Sequence, residues 1–201
     1  MITIFIIGII LTILIFLITS TNKINYTAIG DSISINHKEQ KGFPIELKRM
    51  YINKINDFNN DYCLDSFTSR ELYDILIMNS ITNNKKIQQI INESDILTLS
   101  IGHDELNNGG NVKLYLYYMD LIMQNISAIN NGKKILISVP LMSTTSDYVN
   151  NELLNLSKKH NFKYIDLTKI NKHSADNVDN DFTNLDQKNL AKYIYKTYTI
   201  N

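Results

Sequence analysis

Two short segments of the sequence carry residue types that could do chemistry together. Residues 30–32 read Gly-Asp-Ser and residues 102–104 read Gly-His-Asp, and each segment follows an apolar run. A serine such as Ser32, placed where a strand passes into a helix, exposes its hydroxyl at the edge of a sheet. Backbone N–H groups at the helix start can then stabilise the oxyanion that forms when a hydroxyl attacks a carbonyl carbon. The competing interpretation is a helix cap, in which Asp31 or Ser32 only satisfies first-turn amides.

The elements that must position these residues alternate in type along the chain. The pattern predicts strands at 24–29, 54–58, 95–101, 134–139 and 162–167, and helices at 43–53, 69–79, 85–92, 112–129, 148–159 and 185–198. Gly132 is expected to form the C-terminal cap of the helix at 112–129. The alternation predicts a parallel sheet covered on both faces. Ligands of such sheets bind at the carboxyl ends of strands, which here means Ser32, residues 102–104 and the loop after Leu167.

Composition limits the classes of function. The 201 residues have the size of one domain, and with 44% hydrophobic and 20% charged residues they can form a core. Lys and Arg total 20, as do Asp and Glu, so no basic excess indicates a nucleic-acid partner. A single cysteine, Cys63, excludes an intrachain disulfide and a cysteine metal cluster, and its apolar neighbours predict a buried, inert thiol. Neither a metal-binding constellation nor a phosphate loop is evident, so no metal or cofactor is expected.

The N-terminus is predicted to be a membrane anchor. Residues 2–18 contain no charged residue, and residues 2–20 together just reach the length of about 20 residues that crosses a bilayer. The run lacks a basic segment before it and a small-residue cleavage site after it, so an uncleaved anchor at 1–22 is preferred over a cleaved signal. A domain at 23–201 follows. Lys23, Lys38 and Lys41 on the C-terminal flank would, taken alone, place that domain inside.

The two chemical segments resemble motifs of the SGNH (GDSL-like) hydrolases. Residues 26–34, Tyr-Thr-Ala-Ile-Gly-Asp-Ser-Ile-Ser, resemble that family's first block, and residues 95–106 resemble its third block, a strand followed by Gly-x-Asn-Asp. The resemblance covers residues 24 to about 198. It implies a three-layer α/β/α flavodoxin-like fold with a five-stranded parallel sheet, and an activity on esters, often acyl groups of lipids or carbohydrates. It also favours an extracytoplasmic position for the domain.

The resemblance implies a set of site residues. Ser32 would be the nucleophile, Asp31 and Asp179 would orient the site, and the oxyanion and substrate contacts would fall at Gly30, Asp31, Ser66, Gly102, His103 and Asp104. Two of these positions depart from the family pattern. Ser66 replaces a glycine, and its N–H can serve only if Ser66 adopts the required backbone conformation. Asp104 replaces an asparagine, and an ionised carboxylate cannot donate the hydrogen bond, a loss of about 3 kcal/mol of transition-state stabilisation.

The expected general base is also changed. Phe182 stands where the family has the histidine of its final Asp-x-x-His motif, and a serine without a base is a weak nucleophile. His173 and His103 are the candidate substitutes, while His37 and His160 are expected to be solvated surface residues.

Two functions therefore stay open. The first is a membrane-anchored serine esterase that cleaves an acyl ester of a lipid or cell-envelope glycan through Ser32, with His173 or His103 as base. The second is a non-catalytic binding protein that keeps the fold and the pocket. The distance from Ser32 Oγ to the nearest imidazole nitrogen separates them, because a base must approach to about 3 Å and a gap beyond about 6 Å for every histidine would leave the serine without one.

Overall fold

Seven strands and eight helices lie within the residues that the computed structural model describes, which are 23–35, 42–82, 85–141, 146–170 and 184–198. The strands are β1 (Ile24–Gly30), β2 (Ile55–Cys63), β3 (Ile81–Thr82), β4 (Lys85–Lys86), β5 (Ile96–Ser100), β6 (Lys133–Ile137) and β7 (Lys163–Ile165). The helices are α1 (Phe43–Met50), α2 (Ser69–Met78), α3 (Ile87–Asn92), α4 (His103–Asn107), α5 (Val112–Ile129), α6 (Ser146–Lys159), α7 (Leu167–Ile170) and α8 (Asn184–Tyr198), and a 3₁₀ turn covers Ser32–Ser34.

The central sheet has five parallel strands in the order β2-β1-β5-β6-β7. The prediction of a five-stranded parallel sheet is therefore confirmed. From β1, the chain continues to β2 on one side of the sheet and later returns to β5 on the other, so the order reverses between β1 and β5. Gly30 lies opposite Ser100 at this point. The carboxyl ends of these two strands form the crevice where sheets of this type bind their ligands.

Two hydrophobic clusters give the fold its three layers. On one face Ile29, Leu97 and Leu99 pack against α2, α3, α5 and α6. On the other face Ala28, Ile96 and neighbouring strand residues pack against α1 and α8. Since successive strand residues point to opposite faces, a strand buried on both sides must be apolar throughout, and β5 is fully buried along its length. The predicted three-layer α/β/α arrangement is confirmed.

Helix α2 begins where its sequence predicts and ends one residue earlier, at Met78. Thr68 accepts a hydrogen bond from the Glu71 N–H, and the Glu71 side chain accepts one from the Thr68 N–H, which forms a capping box. Asn79 closes the helix in the left-handed conformation. The capping box fixes the start of α2 three residues after Ser66, which contributes to the site.

The predicted cap at Gly132 is wrong. Helix α5 ends at Ile129 and its cap residue is Asn130, whose backbone is extended. The Asn130 side chain donates to the Ile91 and Ser94 carbonyls at 2.5 and 2.8 Å. Gly132 lies where a Cβ atom would collide with the carbonyl oxygens of Ser94 and Asp95. The glycine is therefore required by close approach of two backbone segments and not by a helix end.

Other differences lie at the edge of the sheet. Strand β2 continues to Cys63, well past the predicted end at residue 58. The prediction ended early because this edge strand has several exposed residues, and its many polar side chains resemble those of a loop. Lys85 and Lys86 pair with Ile81 and Thr82 in a small hairpin instead of opening α3. Cys63 at the end of this strand is partly buried, and burial raises the pKa of its thiol above the ordinary value.

The predicted anchor at residues 1–22 lies outside the described residues. Across the ranges that the structure describes, the helices are too short or too polar to span a bilayer.

Candidate active site

Ser32 opens the 3₁₀ turn that follows β1. The Asp31 side chain accepts a hydrogen bond from the Ile33 N–H, and its carbonyl accepts one from the Ser34 N–H at 2.8 Å. Asp31 therefore fulfils the capping role, and the Ser32 hydroxyl has other partners. The helix-cap interpretation is correct for Asp31 but does not account for Ser32.

Asp31 also ties the two chemical segments together. Its carboxylate is fully buried, and Oδ2 accepts hydrogen bonds from the backbone N–H groups of Gly102 at 2.8 Å and His103 at 2.7 Å. Burial raises the pKa of Asp31 to about 6, the nearby Asp104 carboxylate adds to the rise, and the hydrogen bonds oppose it. Because no part of Asp31 is exposed, its side chain positions the two turns and does not face solvent.

Gly30 at the end of β1 and Gly102 after the end of β5 lie where there is no space for a Cβ atom. A Cβ atom on Gly30 would collide with Ser34 Oγ and the Ser100 carbonyl. Gly102 has a φ of 113°, and a Cβ atom there would meet the ring of Tyr115, whose hydroxyl donates to the Ile101 carbonyl at 2.9 Å. The two glycines let the turns come close together, and this is how they shape the site.

Ser32, His103 and Asp104 form a cluster of three polar side chains. Ser32 Oγ lies 3.3 Å from His103 Nδ1, which lies 3.1 Å from Asp104 Oδ1. The Ser32 hydroxyl also donates a short hydrogen bond to the same Oδ1. The side chains of His103 and Asp104 are 22% and 15% exposed, so the cluster is open to solvent but mostly enclosed. His103 thus meets the distance required of a base.

Two backbone N–H groups converge beside this cluster, and we call them the amide cradle. The Ser32 N–H and the Ser66 N–H both donate to Asp104 Oδ2 at 3.1 Å. The φ of Ser66 is 56°, a left-handed conformation that glycine adopts without strain and other residues adopt rarely. The Ser66 N–H is directed to the same acceptor as the Ser32 N–H. The Asp104 carboxylate occupies the point to which both donors are directed.

Asp104 is held in its ionised form. Burial opposes ionisation, but the hydrogen bonds from the His103 and Ser32 side chains and from the Ser32 N–H outweigh it and lower the pKa of Asp104 to about 2. At neutral pH the amide cradle therefore surrounds a negative charge that belongs to the protein itself.

Glu105 supports the neighbouring wall of the site. Its carboxylate accepts a hydrogen bond at 2.8 Å from the N–H of Ser69, the first residue of α2. The contact joins α4 to the start of α2 and does not involve the two N–H groups of the amide cradle.

The remaining candidate residues lie elsewhere. His160 is only 9% exposed and its Nε2 lies 2.6 Å from Asp120 Oδ1, so the prediction of a solvated surface histidine is wrong for it. His37, His173, Asp179 and Phe182 lie outside the described residues. The role of Asp104 as an acceptor was missed by the sequence analysis, and the one available signal was an acidic side chain directly after an imidazole.

Within the described ranges no group of three or more His, Cys, Asp or Glu side chains could hold a metal ion. A polar cavity of about 390 Å³ lies at the β7 edge of the sheet, next to Asn150, Tyr164 and Asp166. It is separated from Ser32 by the width of β5 and β6, and the chemical cluster does not line it.

Comparison with known proteins rests on structure. No family model matches the sequence, and neither does any curated protein. Among solved structures, the psychrotrophic esterase EstA from Pseudoalteromonas sp., inhibited by monoethylphosphonate, matches at a TM-score of 0.64 and 15% identity, over 85% of this chain and 96% of that chain. AlinE4, an SGNH-hydrolase family esterase, matches at 0.60 and 13% identity, over 87% and 94%.

A lipolytic protein of the G-D-S-L family from Veillonella parvula matches at a TM-score of 0.61 and 17% identity, over 88% of this chain and 98% of that chain. Each of these neighbours is covered almost end to end, and all of them are distant in sequence. The chain therefore has the fold of the SGNH hydrolases, in a divergent form.

Proposed function

We propose that this chain is a serine ester hydrolase of the SGNH type with Ser32 as its nucleophile. One observation carries the proposal: Ser32 Oγ lies 3.3 Å from the imidazole of His103 at the point where the strand order reverses. Two backbone N–H groups are directed to a single position beside that hydroxyl. A nucleophile, a base and oxyanion donors are the groups that acyl transfer requires.

The proposed reaction has two steps. Ser32 Oγ attacks the acyl carbon, its proton passes to His103 Nδ1, and the carbonyl oxygen becomes an oxyanion that the amide cradle binds. The C–O bond to the alcohol then breaks, and the alcohol leaves with the proton from His103. Water, deprotonated by His103, attacks the acyl-enzyme, and the acid leaves as Ser32 regains its proton.

His173 and Asp179 form the second candidate pair for base and orienting residue, as the sequence suggests. The two arrangements differ in the histidine that carries the proton. The base is assigned by comparing full-length His103→Gln and His173→Gln, assayed in detergent with p-nitrophenyl butyrate. Only replacement of the true base should lower kcat strongly without a matching change in KM.

The substrate proposed for this site is an acyl ester of a lipid or a cell-envelope glycan. Residues 2–20 would hold the domain at a membrane, on the extracytoplasmic side. This part of the proposal rests on the apolar run and on the esterases among the structural neighbours.

The nucleophile is tested with a pair of serine substitutions in the same turn. Ser32→Ala should reduce hydrolysis of p-nitrophenyl acetate and butyrate by the full-length protein to the uncatalysed rate. Ser34→Ala is the matched control, because it removes the same kind of group two residues further along the turn. The Ser34 hydroxyl is buried and makes no hydrogen bond among the described residues. Equal rates for Ser32→Ala and the unmodified protein would disprove the assignment.

A second function, a binding protein without turnover, is favoured by one specific observation. The Asp104 carboxylate fills the amide cradle, where an enzyme would bind the oxyanion of its transition state. The replacement of the family's histidine by Phe182 points the same way. A binding protein would show no hydrolysis that depends on Ser32. Its ligands would bind equally well to the unmodified protein and to Ser32→Ala.

A further inference from the structure

One carboxylate takes up every donor of the proposed oxyanion site. Asp104 Oδ2 accepts from the N–H groups of Ser32 and Ser66, and Asp104 Oδ1 accepts from the Ser32 hydroxyl. A tetrahedral intermediate would need these same N–H groups for its own oxygen. The two cannot be bound together, because they would occupy the same position and carry the same charge.

The same carboxylate also engages His103. An ionised Asp104 can only accept hydrogen bonds, so its 3.1 Å contact favours the tautomer of His103 with the proton on Nδ1. In that tautomer Nδ1 cannot take the proton of Ser32. Asp104 therefore fills the oxyanion position and withdraws the base at the same time.

The backbone of Asp104 is anchored independently of its side chain. Its N–H lies 3.4 Å from Asp31 Oδ2, and it occupies the first turn of α4 next to Gly102. A rotation about the side-chain bonds would empty the amide cradle without disturbing this anchorage.

We propose that Asp104 is an internal ligand of the amide cradle, which competes with anionic ligands and with the oxyanion of the substrate. The site opens when this side chain swings out, and the ligands that replace it are carboxylates, phosphonates and other oxyanions of similar size. The inference rests on the proposed function, since it concerns the same site, but anion binding can be measured without any turnover.

The first experiment measures anion binding directly. Methylphosphonate is titrated into ¹⁵N-labelled full-length protein in detergent, and the amide signals of Ser32 and Ser66 are followed at neutral pH. In the Asp104→Ala variant both signals should shift and reach saturation. The affinity of this variant for methylphosphonate should exceed that of the unmodified protein by on the order of tenfold or more. Equal affinities for the two proteins would overturn the proposal.

Two further variants keep this experiment decisive. Asp104→Asn removes the charge with little change in shape and serves where the alanine variant does not fold. Glu105→Gln is the matched control, because it neutralises the adjacent carboxylate, which binds Ser69 and not the amide cradle. If Glu105→Gln gains as much affinity as Asp104→Asn, the effect is one of general charge, and the internal-ligand proposal fails.

The second experiment separates this inference from the proposed function. The rate at which a fluorophosphonate labels the protein is compared in unmodified, Asp104→Asn and Asp104→Asn/Ser32→Ala forms. Labelling should be faster by on the order of 100-fold in Asp104→Asn, where an amide donor replaces the competing carboxylate, and absent in the double variant. If labelling depends on Ser32 but is no faster in Asp104→Asn than in the unmodified protein, only the proposed role of Asp104 is overturned. If labelling is equal in Asp104→Asn and in the double variant, the assignment of Ser32 as nucleophile is overturned.

Discussion

At the scale of the residue, the imidazole of His103 and the carboxylates of Asp31 and Asp104 differ in what surrounds them, and that difference assigns their roles. Asp31 is sealed inside and bonds to backbone, whereas Asp104 faces the cleft and bonds to the groups that would react. Neither role follows from residue type. Both depend on which donors converge on each carboxylate.

Replacement of His103 tests its proposed role as base. His103→Gln should lower kcat/KM for p-nitrophenyl butyrate by roughly 100-fold or more, because a positioned base contributes about that much to proton transfer. The measurement is steady-state kinetics on the full-length protein. His160→Gln is the control, since His160 pairs with Asp120 away from Ser32, and it should keep its rate. Loss of activity in both variants would point to stability and not to catalysis.

The raised pKa of Asp31 predicts how stability depends on pH. Its pKa is about 6 in the folded protein and near 3.8 when unfolded, so the folded state binds the proton more tightly. The stability that this proton supplies is complete below pH 3.8 and is lost as the pH rises through about 6. Asp104 has the opposite sign, and its contribution is lost only as the pH falls from 3.8 towards about 2.

The check is a comparison of urea unfolding between pH 4 and 7. The free energy of unfolding of the unmodified protein should fall, relative to that of Asp31→Asn, as the pH rises across this interval. The difference between the two proteins matters, since groups that do not interact with Asp31 titrate equally in both. A parallel pH dependence would show that the proton on Asp31 is not linked to folding.

At the scale of the element, the alternation of apolar runs and helical patterns was sufficient to predict the sheet and the convergence of Ser32 with residues 102–104. A parallel sheet brings its carboxyl ends to one edge whatever the loops contain. What the sequence did not predict depends on contacts between distant segments. The end of β2 at Cys63 depends on pairing with β1, the need for Gly132 depends on the backbone of Ser94, and the occupant of the amide cradle depends on a side-chain rotation.

The turn at Ser66 is a testable part of this local design. Its φ of 56° is unfavourable for a residue with a Cβ atom, so Ser66→Gly should raise the free energy of unfolding by about 0.5–1 kcal/mol. The N–H group stays, so esterase activity should not fall. Urea unfolding measures the first effect, and Ser66→Ala, which keeps the Cβ atom, is the control. A glycine variant no more stable than the alanine variant would contradict the argument from strain.

At the scale of the whole molecule, the described domain is a covered sheet with its proposed chemistry at one end of β1, while the apolar N-terminal run leads into the other end of the same strand. If residues 2–20 form the proposed anchor, the site would lie on the side of the domain away from the membrane. Such an arrangement would suit a substrate that lies outside that membrane.

The anchor is tested with a charge placed inside the apolar run. The full-length protein should stay with the membrane fraction after alkaline extraction, whereas Leu14→Arg should release a large share of it, because a central arginine costs about 2.5–3.5 kcal/mol on insertion. Thr21→Arg, just beyond the apolar run at 2–20, is the control. Complete release of the unmodified protein would rule out an integral anchor.

The two edges of the sheet have a further consequence for handling the protein at high concentration. An exposed strand edge is a template on which another chain can add a strand and begin to aggregate. Strand β2 carries exposed Asn56 and Asp57, the latter bound to Lys85 of the hairpin, and β7 at the other edge has only three residues. Charge and brevity make both edges poor templates, so we expect the folded domain to resist edge-to-edge association between copies.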